Sequence, residues 1–347
     1  MDQIHNFLKR KDIVISAKRY GIDALSAMAQ GLFASLLIGT IFNTLGTQLG
    51  ISFFNDMGGY ASAMAGPAMA VAIGYALNAP PLVLFSLLAV GNASNTLGGA
   101  GGPLAVLVIA IFAAECGKAV SKETKVDILV TPAVTIGVGV ALSAWWAPAI
   151  GSAASAFGQL VMWATELQPF LMGIVVSVLV GIALTLPISS AAICAALGLT
   201  GLAGGAAVAG CCAQMVGFAV MSYRENGVGG LVSQGLGTSM LQMGNIVRKP
   251  VIWLPAIITS AITGPIATCL FKLKMNGAAV SSGMGTCGLV GPIGVYTGWI
   301  NDGITITAGH WVGLILIALV LPAVICAVIG ALFRKAGWIA DGDLKLD

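Results

Sequence analysis

Leu186-Pro187-Ile188-Ser189-Ser190-Ala191-Ala192-Ile193-Cys194-Ala195-Ala196-Leu197-Gly198-Leu199-Thr200-Gly201 is apolar enough to enter a bilayer, yet too broken to cross it as one helix. Pro187 removes a backbone donor and disfavours helix in the residue before it, and the glycines and hydroxyls beyond it interrupt the apolar run. A second stretch has the same character: Ser281-Ser282 runs into Gly288-Leu289-Val290-Gly291. Non-helical backbone at membrane depth is tolerated only where protein buries it or where it lines a cavity. Two such segments in one chain point to a transport site.

The composition agrees. Of 347 residues 58% are hydrophobic and only 8% charged, against about 25% charged in a soluble domain. The chain therefore reads as an all-α polytopic membrane protein whose main surroundings are the lipid bilayer. Its 47 glycines are mostly packing surface, since small residues let helices approach closely in lipid. The net charge of +3 is concentrated in short clusters. Lys9, Arg10, Lys11, Lys18 and Arg19 precede the first span and favour the cytoplasm. Membrane insertion explains that cluster more simply than nucleic-acid binding, so no nucleic-acid partner is expected. The charged leader runs directly into a full-length span, unlike a cleavable signal peptide. Cys116, Cys194, Cys211, Cys212, Cys269, Cys287 and Cys326 all lie in apolar runs without ligand spacing. They read as small buried hydrophobes, and no metal site is expected. No P-loop, HExxH or nucleophile elbow is present, so no catalytic residue and no cofactor are assigned.

A spanning helix needs about 20 apolar residues. Suitable runs are Ile22 to Leu45, Tyr60 to Leu77, Pro81 to Ala93, Leu104 to Val120, Ile128 to Ile150, Gln168 to Leu186, Leu202 to Met221, Val251 to Leu273 and Gly309 to Phe333. With the broken segments this gives about ten passages. The stretch Ser152 to Glu166 reads as interfacial. With a cytoplasmic N-terminus, Lys118, Lys122, Lys125, Lys272, Lys274, Arg334 and Lys335 are all expected on the inside. Arg224, Arg248 and Lys249 fit that scheme less well. The expected division is a leader (1–20), a scaffold half (21–166), a transport half (167–335) with breaks at 187–201 and 278–297, and a tail (336–347). A third Gly-rich stretch, Asn92 to Pro103, either faces the same cavity or forms an outer loop.

Few side chains can carry chemistry. Glu115 reads as a functional intramembrane carboxylate or as an interfacial one beside Lys118, and the spacing favours the second. Glu225 and Asn226, next to Arg224 and a Gly-rich turn, suit sugar hydroxyls, because carboxylates and amides accept and donate in fixed directions. The other reading is a polar loop with a local Arg–Glu pair. Gln234, Thr238, Gln242 and Asn245 recur at helical spacing and would form one polar face. That face either lines a cavity or is the wet side of an interfacial helix. Asn276 precedes the second break. Ser281, Ser282, Ser189 and Ser190 either open short helices that aim N–H groups at a ligand or bond carbonyls freed by glycine. Asn301, Asp302 and His310 precede the last span, and His310 beside Trp311 is either a sugar contact or an interfacial pair.

Leu186–Ala192, Gly244-Asn245-Ile246-Val247-Arg248-Lys249-Pro250 and Asn276–Pro292 resemble the membrane-embedded IIC component of bacterial phosphotransferase-system sugar transporters, and more closely the branch of IIC-like toxin regulators of the perfringolysin O regulator type. The resemblance covers nearly the whole chain. It implies about ten transmembrane helices with two re-entrant hairpins, a homodimer in the bacterial cytoplasmic membrane, an N-terminal dimer scaffold and a C-terminal sugar-binding half that moves as an elevator. It also implies separate IIA and IIB partners that relay phosphate, neither of which this chain contains. Sugar-binding members use a carboxylate and a histidine from the C-terminal half, for which Glu225 and His310 are the available types here. The expected function is transport of a sugar or sugar-like polar solute, with phosphotransfer only through a IIB partner. A membrane regulatory protein and an ion-coupled transporter are the alternatives.

Overall fold

Backbone amides in hydrocarbon find no water to bond, so each apolar run must satisfy them internally and folds as helix. The computed structural model describes residues 2–346. Among these there is no strand, and the β-pairing is a single isolated bridge between Gly201 and Met275. Among the described residues six helical stretches are long and apolar enough to cross a membrane: Arg19–Leu49, Pro81–Val120, which is interrupted at Gly99–Gly101, Asp127–Thr165, Gly201–Met221, Pro250–Leu270 and Ala308–Lys335. Ala65–Ala76 and Pro169–Thr185 are shorter apolar helices. The chain divides into two compact units. One comprises Met1–Gly39 and Asp56–Ala153, the other Thr40–Asn55 and Ala154–Asp347.

In the first unit, the Gly-rich stretch is a turn. The helix Pro81–Gly98 ends where Gly99 takes φ +50°, and Gly102–Val120 starts after one 3-10 turn and packs back against it. The turn abuts the backbone of Ile150 and Gly151. Lys118 is almost fully buried. Its ammonium meets Glu115 at 3.0 Å and bonds the carbonyls of Asp12 and Leu77. The pair is thus enclosed by protein rather than snorkelling to water. Arg19 clamps Asp12 and bonds the Leu77 carbonyl. The Arg19 guanidinium holds the Asp12 carboxyl down, at about 2. Lys11 and Arg10 both reach Glu123, tying the N-terminal segment to the loop after Val120.

The second unit is organised by three helices, Pro169–Thr185, Gly201–Met221 and Leu254–Pro265. They approach closely through glycine: a Cβ on Gly210 would strike the Ser177 carbonyl, and one on Gly264 the Gly173 carbonyl. Hydroxyls and one amide then join them. Ser177 donates to the Ser260 carbonyl, and the buried Gln214 accepts from Thr185 and from the Trp253 indole while donating to Ser260. Such interhelical bonds are worth about 1 kcal/mol each in lipid.

Both broken segments appear as breaks. After Thr185 the chain is extended at Leu186 and Ser189, forms a short helix Ser190–Ala196, and turns at Gly198. The second runs as 3-10 turns Ala279–Gly283 and Cys287–Leu289 before entering the regular helix Val290–Asn301, so helix resumes earlier than the expected end at 297. Gly285 has φ +54°, and a Cβ there would also meet Cys211, so only glycine serves. The segments lock together. Ser190 Oγ donates to the Gly283 carbonyl at 2.7 Å, and Ser282 Oγ to the Leu199 carbonyl at 2.6 Å.

The ends of this unit correct one expectation about charge. Gly201 bonds Met275, whereas Met221 accepts from Arg334. The 21-residue helix between them spans about 30 Å. Lys272 and Lys274 therefore lie at the opposite end from Arg334 and Lys335, because Pro250–Leu270 crosses the unit completely and delivers them there. Arg224 lies instead at the end that holds Arg334. The face expected from Gln234, Thr238, Gln242 and Asn245 is not a helical face either. Thr238 is extended (φ −159°) between a π-turn and a 3-10 turn, with its own hydroxyl capping Met240.

Candidate functional site

The polar groups buried around residues 222–249 hold the chain's own C-terminal segment. Gln234 donates to Ser222 and accepts from Gln242, and Gln242 accepts from Asn245. Gln234 also donates to the Gly230 carbonyl, and other donors go to the tail: Gln242 and Asn226 to the Leu344 carbonyl, and Asn245 to the Lys345 carbonyl, at 2.8–2.9 Å. Asn226 also accepts from the Leu346 N–H, so its primary amide acts as one peptide unit of a neighbouring strand. Lys249 pairs with Asp343 at 2.7 Å. Burial pushes the Asp343 carboxyl up, but Lys249 and the Ala340 N–H outweigh it and hold it below the usual carboxylate value. Glu225 is nine-tenths buried and bonds Arg334 through Oε1 at 2.6 Å. Its Oε2 is buried with no hydrogen-bond partner among the described residues.

The other residues selected from sequence lie at the far end of the same unit or within its core. Asn276 Oδ1 accepts from the Gly201 N–H, and its Nδ2 donates to Asp302. Asn301 is exposed at the end of its helix. His310 completes a capping box with Thr307 and lies edge-on to Trp299 at 5.3 Å. Those rings line a cavity of about 530 Å³ with Lys272 and Lys274. Its histidine and threonine already bond one another, at 2.8 Å. Ser189 caps Ala192, and Ser190 and Ser282 bond freed carbonyls as described. Glu225 and Asn226 therefore do not meet Asn276, Asp302 or His310. About 30 Å of helix separates the two groups.

Ser281 lies elsewhere. It lines a cavity of about 330 Å³ with Thr40, Asn43, Thr44, Thr47 and Gln48 from the Ile38–Leu49 helix and Thr297 from the Val290–Asn301 helix. Ligand pockets run from about 300 to 1,000 Å³. No charged side chain lines it. Thr44 and Thr47 spend their protons on carbonyls one turn back, which leaves hydroxyl lone pairs as acceptors. Asn43 and Gln48 make no side-chain hydrogen bond among the described residues, so each keeps two donors and an acceptor. The lining thus offers fixed donors and acceptors without net charge.

The signal for this cavity was in the sequence: positions 40, 43, 44, 47 and 48 recur at i, i+3, i+4, i+7 and i+8, a polar stripe on an otherwise apolar span. It is easily passed over because the stripe is confined to the second half of the helix and its residues carry no charge.

A family model described as "Phosphotransferase system, EIIC" matches residues 22–346. No curated protein and no solved structure matches the chain.

Proposed function

The chain belongs to the phosphotransferase system EIIC family, whose members are membrane sugar-transport components, and from that premise we propose that it carries a neutral sugar or sugar-like polar solute across the bacterial cytoplasmic membrane. The observation that carries this reading is the uncharged cavity at Thr40, Asn43, Thr44, Thr47, Gln48, Ser281 and Thr297. A polyhydroxylated solute needs many directional partners and no counter-ion, and this lining provides that. The cavity beside His310 offers two lysines and an internally satisfied His–Thr pair, which suits such a solute poorly.

All residues of the solute cavity belong to the second unit. This supports an elevator, in which that unit carries the whole site while the other serves as the scaffold of a homodimer. The breaks at Pro187–Gly201 and Ala279–Leu289 act as the two re-entrant hairpins, and counting them gives about ten passages. Arg224, Arg248, Lys249, Arg334 and Lys335 gather at one end of the unit, against Lys272 and Lys274 at the other. The positive-inside bias makes the first end, and with it the C-terminus, cytoplasmic. Separate IIA and IIB proteins would supply any phosphoryl group. In this reading Glu225 and Asn226 set the cytoplasmic end, while Asn276, Asn301, Asp302 and His310 shape the opposite one.

The test is thermal unfolding of the detergent-purified chain against a panel of sugars, polyols and sugar acids. A ligand at a hundred times its dissociation constant adds about 2.7 kcal/mol. A neutral sugar that stabilises the protein, and loses that effect with Asn43→Ala or Gln48→Ala, supports the reading. A response only to charged solutes, or one indifferent to both substitutions, refutes the site.

A further inference from the structure

A groove of about 390 Å³ runs between the ends of the Gly201–Met221 and Leu321–Lys335 helices. Its floor is apolar and built from small or flexible side chains: Val220, Met221, Ala327 and Gly330. A Cβ on Gly330 would touch the Met221 side chain, so glycine keeps the slot open. Ile339 and Leu344 of the C-terminal segment close one wall. Beside the groove the Leu321–Lys335 helix exposes Val324, Val328 and Leu332, the surface expected to face acyl chains.

The rim has the opposite character. Arg224, Arg334 and Lys335 border the groove, with Tyr223 beside them. Arg334 is compensated by Glu225 and Asp341. Arg224 and Lys335 make no ion pair among the described residues, and both are exposed. Two uncompensated cations therefore stand over an apolar slot at the end of two membrane helices. A guanidinium matches a phosphate through paired N–H donors, and an ammonium adds a second point charge. Tyrosine is at home at headgroup level.

We propose that this groove binds an anionic phospholipid, with the phosphate between Arg224 and Lys335 and one acyl chain along Val220, Met221, Ala327 and Gly330. The occupant is the lipid rather than free phosphate, because the volume is mostly apolar and opens beside the lipid-facing helix surface. The site is distinct from the solute cavity, which lies on other elements of the unit.

The experiment uses the full chain in detergent. Retained lipid is counted by native mass spectrometry, and thermal stability is followed during titration with phosphatidylglycerol, with phosphatidylcholine of the same acyl chains, and with glycerol phosphate. Phosphatidylglycerol is expected to bind and stabilise, the other two not. Each cation near an anionic lipid surface is worth a roughly fivefold change in affinity, so Arg224→Gln with Lys335→Gln should weaken phosphatidylglycerol by roughly 25-fold. Both side chains are exposed, so lipid-free stability should be unchanged. Gly330→Leu should block the slot for phosphatidylglycerol. Equal binding of the two lipids, undiminished binding to the double variant or to Gly330→Leu, or equal stabilisation by glycerol phosphate would each overturn the proposal.

Discussion

Glu225 and Arg334 form an ion pair whose two halves are unequally supported, and that inequality sets the order of their mutant stabilities. Arg334 keeps three further acceptors if Glu225 loses its charge: Asp341 at 3.1 Å, the Met221 carbonyl at 3.3 Å and the Ala340 carbonyl at 3.5 Å. Glu225 keeps no donor if Arg334 is removed, because Oε1 has Arg334 alone and Oε2 has none among the described residues. Removing one partner of a buried pair and stranding the other costs about 3–5 kcal/mol. Arg334→Met, which keeps the aliphatic volume, should fall in that range. Glu225→Gln preserves an acceptor for Arg334 and forfeits only the charge assistance, about 1–2 kcal/mol by comparison of charged and neutral hydrogen bonds. The double variant leaves no stranded charge, so it should be more stable than Arg334→Met alone. The readout is tryptophan-monitored thermal unfolding in one detergent at one scan rate, analysed as a double-mutant cycle. If Glu225→Gln proves as damaging as Arg334→Met, or if the two effects add, the two halves of the pair are not unequally supported and the reasoning fails.

Ser190→Ala and Ser282→Ala each leave a buried carbonyl unbonded, at a cost of about 1–3 kcal/mol. Thermal unfolding should show the two as non-additive, since both bonds hold the same pair of segments. Asn226→Asp replaces one of the two donors to the Leu344 carbonyl with an acceptor, so the C-terminal segment should be held less tightly and be trimmed by carboxypeptidase faster than in the wild type, and unchanged trimming would remove Asn226 as one of its anchors. Gly210→Ala drives a methyl into the Ser177 carbonyl. It should lower thermal stability by about 1–3 kcal/mol, whereas Gly229→Ala, with open space around it, should change stability little. The Asp12 carboxyl is held at about 2 against an ordinary 3.8. Its folded value is depressed, so its contribution is present above about pH 4 and is lost as pH falls through about 2. Asp12→Asn should flatten that part of the acid-unfolding profile, and an unchanged profile would remove Arg19–Asp12 as its source.

Composition and the long unbroken apolar runs determined that this chain is a helical membrane protein, because such a run in hydrocarbon satisfies its own amides as helix, whereas a barrel strand would alternate apolar and polar residues. The breaks were legible from several signals together: Pro187 and Gly288 sit where the chain leaves regular helix, but the signal is the cluster of Pro, Gly and Ser and not one residue, since Pro132 and Pro148 lie inside a continuous helix. The competing readings of the serines were also visible, but choosing between them required knowing that Ser190 lies against Gly283 and Ser282 against Leu199, contacts made across more than eighty residues. The same limit applied to the polar clusters. Glu225, Asn276 and His310 look equivalent in sequence as sparse polar groups near membrane ends. Only the folding of Pro250–Leu270 across the unit sends Asn276 and His310 to one end and leaves Glu225 at the other. The stripe from Thr40 to Gln48 was readable as a polar helical face. That it meets Ser281 and Thr297 depends on packing between segments distant in the chain, and local periodicity carries no information about which distant surface will cover a face.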